Sequence, residues 1–95
     1  MNVRRLVLDV DKALARPSII DVARALEAVP GVEGVNITVT EIDLETVGMN
    51  ITVEGSGMEY DAVAGAIEAV GAVVHSVDEI VVGQRIVSYV RRARA

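Results

Sequence analysis

Few residues in this sequence carry chemistry. The carboxylates Asp9, Asp78 and Glu79 fall in the first and last strand-like segments, with Asp11 close by. If those segments lie side by side, the acids bring several oxygen ligands together, a set suited to a divalent cation such as Ca²⁺ or Mg²⁺. No Asp-x-Asp-x-Asp-Gly loop accompanies them, and the same acids fit a water-facing surface that binds nothing. His75 is the single histidine. An imidazole can carry protons or hold a ligand, but catalysis needs a nucleophile or an orienting group beside it, and only Asp9 or Asp78 is on offer. Strict alternation groups His75 with Val73 and Val77, which points it inward or to a sheet edge as a half-buried, satisfied side chain. Asn36, Thr38, His75 and Ser76 are the polar groups that could hold a small ligand.

Much other chemistry is excluded. The chain has no Cys, so disulfides, thiolate metal sites and Cys nucleophiles are absent. Phe and Trp are missing and only two Tyr occur, which leaves little to stack on a base or a sugar. Fourteen acidic against nine basic residues give a net charge of −5, which repels phosphate backbones and argues against nucleic acid as a partner. Arg16 and Asn36 have the residue types of an acylphosphatase-like anion loop and its helper. However, the stretch from Ala13 to Ser18 has no glycine to let backbone N–H groups converge on a phosphate. No run approaches the ~20 apolar residues of a membrane span. The charged N-terminal segment does not fit a signal peptide, and the expected compartment is the cytoplasm.

Periodicity defines the elements that must position these groups. Leu6, Leu8 and Val10 alternate with Arg5, Val7, Asp9 and Asp11, which reads as a half-buried strand. After Arg16-Pro17, Ser18 and Asp21 form a capping-box-like start. Ile19, Val22, Ala23 and Leu26 then make one face of a helix that Pro30-Gly31 ends. Val35, Ile37 and Val39 alternate with Asn36, Thr38 and Thr40, and a turn is expected near Asp43 to Thr46. Val47, Met49, Ile51 and Val53 follow, opposite in facing to Gly48, Asn50, Thr52 and Glu54, so the pair reads as an antiparallel hairpin. Glu54-Gly55-Ser56-Gly57 breaks that run. Tyr60, Val63, Ile67 and Val70 line a second helix stopped by Gly71. Val73 to Val82 is the last strand, and Gln84 to Ala95 is a basic tail with a short ordered piece expected at Ile86 to Val90.

Ala25-Leu26-Glu27-Ala28-Val29 is echoed by Ala66-Ile67-Glu68-Ala69-Val70, as in a doubled β-α-β unit. The expected architecture is α+β, with one domain over residues 1–95. It is a ferredoxin-like βαββαβ sandwich, a four-stranded antiparallel sheet with two helices on one face.

In that fold the uncovered sheet face carries Arg5, Val7, Asp9, Asn36, Thr38, Asn50, Thr52, Glu54, Ser76 and Asp78. Positive charge collects at the ends of the chain. After Arg24 no Lys or Arg occurs until Arg85, and Arg91, Arg92 and Arg94 crowd the C-terminus. Antiparallel pairing of the first and last strands brings Arg4 and Arg5 to Gly83, Gln84 and Arg85, so one edge is basic while the hairpin and second helix are acidic. A basic edge meeting the acidic surface of a second copy is a head-to-tail contact, and it closes into a ring if the rotation allows. Arg4, Arg5, Arg85, Arg91 and Arg92 are the candidate interface residues.

Three blocks are specific in combination: Arg4-Arg5-Leu6-Val7-Leu8-Asp9-Val10, Gly31-Val32-Glu33-Gly34-Val35-Asn36-Ile37-Thr38, and Val74-His75-Ser76-Val77-Asp78-Glu79-Ile80-Val81-Val82-Gly83. In this order they resemble a mainly archaeal family, domain of unknown function 211, over nearly the whole chain. The resemblance implies a ferredoxin-like fold and homo-oligomeric rings, and it brings no activity, cofactor or catalytic residue. The functional expectation is a non-enzymatic homo-oligomer that binds a small ligand or metal ion, in the manner of small regulatory domains. A hydrolase built on His75 with a nearby Asp, and a structural or adaptor ring, are the competing expectations.

Overall fold

The computed structural model of the chain describes residues 1–93, so Arg94 lies outside the described residues. The elements run β1 (Val3–Ala13), α1 (Ile19–Glu27), β2 (Val32–Ile42), β3 (Thr46–Met58), α2 (Tyr60–Ala69) and β4 (Val73–Val82). The strands form one sheet in the order β2-β3-β1-β4, and every neighbouring pair is antiparallel. This is the ferredoxin-like α+β fold that the alternation predicts. Among the described residues no helix is long and apolar enough to cross a membrane.

One face of each central strand builds the core. Leu6, Leu8 and Val10 of β1 and Met49, Ile51 and Val53 of β3 are fully buried, and Val22, Leu26, Val63 and Ile67 close over them from the two helices. Full burial of one such side chain contributes about 1.5–3 kcal/mol, so these ten residues dominate the folding energy. The inward row of β1 ends unexpectedly on a charge. Lys12 is buried, its stem running along the core face while Nζ donates to the carbonyls of Ala13 and Leu14 at 3.1 and 3.2 Å, an arrangement that keeps the ammonium hydrogen-bonded.

The helix start at Ser18 is a complete capping box. The Asp21 N–H donates to Ser18 Oγ and the Ser18 N–H donates to Asp21 Oδ2, both at 3.1 Å. The Ser18 backbone bond foremost, then its hydroxyl, holds the Asp21 carboxyl below the usual carboxylate range. A carboxyl depressed in the folded state contributes stability that is complete above the unfolded value, about pH 4, and that is lost as pH falls through the folded value. Asp21→Asn is therefore expected to destabilise the protein at neutral pH. The difference from the parent should shrink in acid, as urea titrations of both proteins across pH would show.

Two features depart from the periodicity. The Glu54-Gly55-Ser56-Gly57 segment does not end β3, which continues to Met58 opposite Val3. Gly57, at φ 67, bends the strand without ending it, and the Gly57 N–H donates to Asn2 Oδ1 at 2.5 Å. The ordered piece expected at Ile86 to Val90 does not form: residues 86–90 are neither helix nor strand, and Tyr89 is exposed and unpacked. Among the described residues the outer edge of β4 therefore stays unpaired within the protomer.

Candidate functional site

Cross-strand pairing sets the uncovered sheet face out in rows. Thr38, Asn50, Asp9 and Ser76 stand opposite one another across the four strands, and Asn36, Thr52, Val7 and Glu79 form the next row. Further along, Arg5 bridges Glu54 (Nε to Oε2, 2.6 Å) and Glu79 (Nη1 to Oε1, 3.3 Å). These carboxylates, Glu54 first, hold the guanidinium proton more firmly than usual. Both carboxylates at this end of the face are thus paired with a cation.

The other end is different. Asp11 of β1 and Glu41 of β2 are both cross-strand partners of Gly48, one from each side. A Cβ at position 48 would stand 3.5 Å from Glu41 Cβ and 3.7 Å from both Asp11 Oδ1 and Thr40 Oγ1. With only hydrogen there, the face opens into a cavity of about 360 Å³ lined by Asp9, Asp11, Thr40, Glu41, Thr46, Gly48 and His75. Among the described residues no cationic side chain pairs with Asp9 or Glu41, and Asp11 has only His75 near it, Nδ1 to Oδ2 3.9 Å. That separation is too long for a hydrogen bond. Three carboxylates thus share one small concavity with no counter-charge from Lys or Arg.

His75 reaches this site because β4 is irregular. Opposite β1, one extra residue is inserted in β4 between Glu79 and Val77 and another between Ser76 and Val74. Such bulges re-aim side chains. The second carries His75 off the strict alternation, leaving its side chain 67 % exposed beside Asp11, so the half-buried placement expected from alternation is wrong. The first displaces Asp78, whose carboxylate accepts from Ser76 Oγ at 2.8 Å.

The sequence-derived candidates therefore separate. Asp9 stays on the acidic cavity, Asp78 is bonded to Ser76, and Glu79 is bonded to Arg5. Among the described residues no three His, Asp or Glu side chains converge as a ready metal-ligand set. Asn36 and Thr38 lie on the far edge strand, where Thr38 Oγ1 donates to Asn36 Oδ1 at 2.7 Å. Three strand spacings, about 14 Å, separate Thr38 from Ser76. No hydrogen bond joins His75 to Asp9 or to Asp78 among the described residues, so the hydrolase pairing is not assembled.

Of the basic edge, Arg4 is occupied within the protomer. Its Nε donates to Gly55 O at 3.0 Å, and Nη1 donates to Gly83 O and Gln84 O at 3.4 and 2.7 Å. With Arg5 also engaged, Arg85, Arg91 and Arg92 are left, among the described residues, as the arginines of the basic end available to a partner. Sequence reasoning missed Thr40, Glu41, Thr46 and Gly48. The available signal was Gly48 itself, since a glycine inside a strand marks a close approach.

The family model described as uncharacterized ArCR, domain of unknown function 211, matches residues 4–95. An uncharacterized protein of Methanocaldococcus jannaschii is 43% identical over 90 residues, covering 95% of this chain and 92% of that protein.

Proposed function

The chain belongs to the domain of unknown function 211 family, and we propose that it is a non-enzymatic homo-oligomer that binds a hydrated divalent cation of the Mg²⁺ or Ca²⁺ class. One observation carries this reading: Asp9, Asp11 and Glu41 line one small cavity at Gly48, and among the described residues no Lys or Arg pairs with them. Like charges so placed repel one another, and a bound cation relieves that repulsion. The carboxylates do not converge into a closed inner shell, which favours an ion that keeps several of its waters, as Mg²⁺ does. The cavity lacks a nucleophile held against His75, so binding is preferred to hydrolysis.

Calorimetric titration with MgCl₂ and CaCl₂ at constant ionic strength tests the reading. Saturable binding is expected, weakened about tenfold by Asp11→Asn, equivalent to about 1.4 kcal/mol, and abolished by Gly48→Val, which fills the cavity. Absence of saturable binding by either ion, or binding indifferent to both substitutions, would overturn it.

The assembly part of the proposal rests on complementary segments. At the hairpin tip Ile42 and Leu44, 70 % and 90 % exposed, alternate with Glu41, Asp43 and Glu45. The tail carries exposed Ile86, Val87, Tyr89 and Val90 between Arg85 and Arg91-Arg92. Each segment offers apolar side chains bracketed by charge of one sign, and the signs are opposite. Docking one protomer's tail on the next protomer's hairpin would cover both.

A further inference from the structure

A second, roomier cavity lies on the helix side, away from the acidic site. It has a volume of about 730 Å³ and opens between the β1–α1 loop, α1 and the end of α2. Its charged lining is Arg16, Arg24 and Asp21, and its apolar lining includes Pro17, Ala25 and Val70. We propose that this cavity binds a small organic carboxylate that carries an apolar body.

The charge balance of the wall supports an anion. Asp21 is committed to the capping box through the Ser18 N–H. Its contact with Arg24, Nη1 to Oδ1 4.0 Å between exposed side chains, is long and weak. Arg16 has no ion-pair partner among the described residues. Two guanidinium groups against one occupied carboxylate leave a net positive wall on a chain whose net charge is −5. At the start of α1 the Asp21 N–H is already taken by Ser18 Oγ, so the proposal does not rest on the helix terminus. It rests on the arginines. A guanidinium presents paired N–H groups that match the two oxygens of a carboxylate.

The apolar part of the wall decides what kind of anion fits. Ala25 and Val70 are half-buried and present apolar surface to the cavity, so an inorganic ion would leave this surface wet. A chain or ring of several carbons would cover it. The volume lies within the usual span of small-molecule sites, about 300–1,000 Å³. Arg16 is one of the two residues with acylphosphatase-like character in the sequence. The other, Asn36, lies on edge strand β2 and lines a separate shallow groove, so the structure uses Arg16 without the second half of that chemistry.

Hexanoate and benzoate are the probes, with hexylamine and inorganic phosphate as controls, read by calorimetry and by amide chemical shifts. Saturable binding of at least one carboxylate is expected, weakened tenfold or more in Arg16→Gln and in Arg24→Gln and lost in the double variant. Circular dichroism would confirm that the variants fold. Asp11→Asn should leave carboxylate binding unchanged, which separates this site from the cation site. The proposal is overturned if neither carboxylate binds, if hexylamine binds equally well, if phosphate binds as tightly as the carboxylates, or if the double variant retains binding.

Discussion

Gly55→Ala is expected to destabilise the protein by about 3 kcal/mol or more, lowering the melting temperature by roughly 10–25 °C for a domain of this size. At this position a methyl group would overlap the carbonyl oxygen of Gly31, which is backbone and has no rotamer to escape through. That carbonyl also accepts the Ser56 N–H at 3.0 Å, and the Gly55 carbonyl accepts Arg4 Nε at the same distance. Separating the strands to admit the methyl would therefore break the pairing of Val32 with Gly55 and the bonds that fasten the turn after α1 to β3. Gly34→Ala is the matched control. It lies in the same region, a Cβ there meets nothing within 4 Å, and its effect should stay within about 0.5 kcal/mol. Equal melting temperatures for the two variants would refute the close approach of these backbones.

The same segment shows what the sequence could and could not disclose. Alternating apolar residues located every strand, because each buries one face and the period survives local irregularity. Ser18 and Asp21 marked the helix start, since their hydrogen bonds are local in sequence. Gly55, by contrast, reads as a strand terminator until one knows that Gly31 lies across from it, a pairing between residues 24 positions apart. His75 was misplaced for a related reason. Alternation assumes an unbroken ladder, while the extra residues in β4 are defined only against β1, some seventy positions away in the chain. Lys12 was hidden by a conflict between levels: its place in the inward row says buried and its charge says exposed. The structure satisfies both with a buried stem and two backbone acceptors. The acidic cavity was half legible. Asp9 and Asp11 could be assigned to the uncovered face from β1 alone, but Glu41 joins them only because the β2–β3 register shifts between Val39 and Glu41.

Ile51→Ala should show whether assembly supplies stability that a single protomer lacks. Ile51 is fully buried between its cross-strand partners Leu8 and Ile37. Truncating it leaves a cavity at the centre of the sheet that costs about 2–5 kcal/mol, against a total of roughly 5–15 kcal/mol for a domain of ordinary stability. An isolated protomer carrying the change would lose a large share of that stability. If protomers dock through tail and hairpin, association stabilises the folded form by mass action, and the melting temperature of Ile51→Ala must rise with protein concentration. Salt should weaken that rise, because exposed pairs between Arg91 or Arg92 and Glu41, Asp43 or Glu45 are screened beyond about 8–10 Å at ordinary ionic strength. Reversing the tail charge with Arg91→Glu and Arg92→Glu in the Ile51→Ala background should remove the concentration dependence altogether, since the substitutions touch no core residue. Scanning calorimetry over a hundredfold range of protein concentration, paired with light scattering at low and high salt, provides the measurement. A melting temperature independent of concentration, with a monomeric mass at both salts, would show that the core cluster of one protomer carries the fold alone and that the tail docks on no second copy.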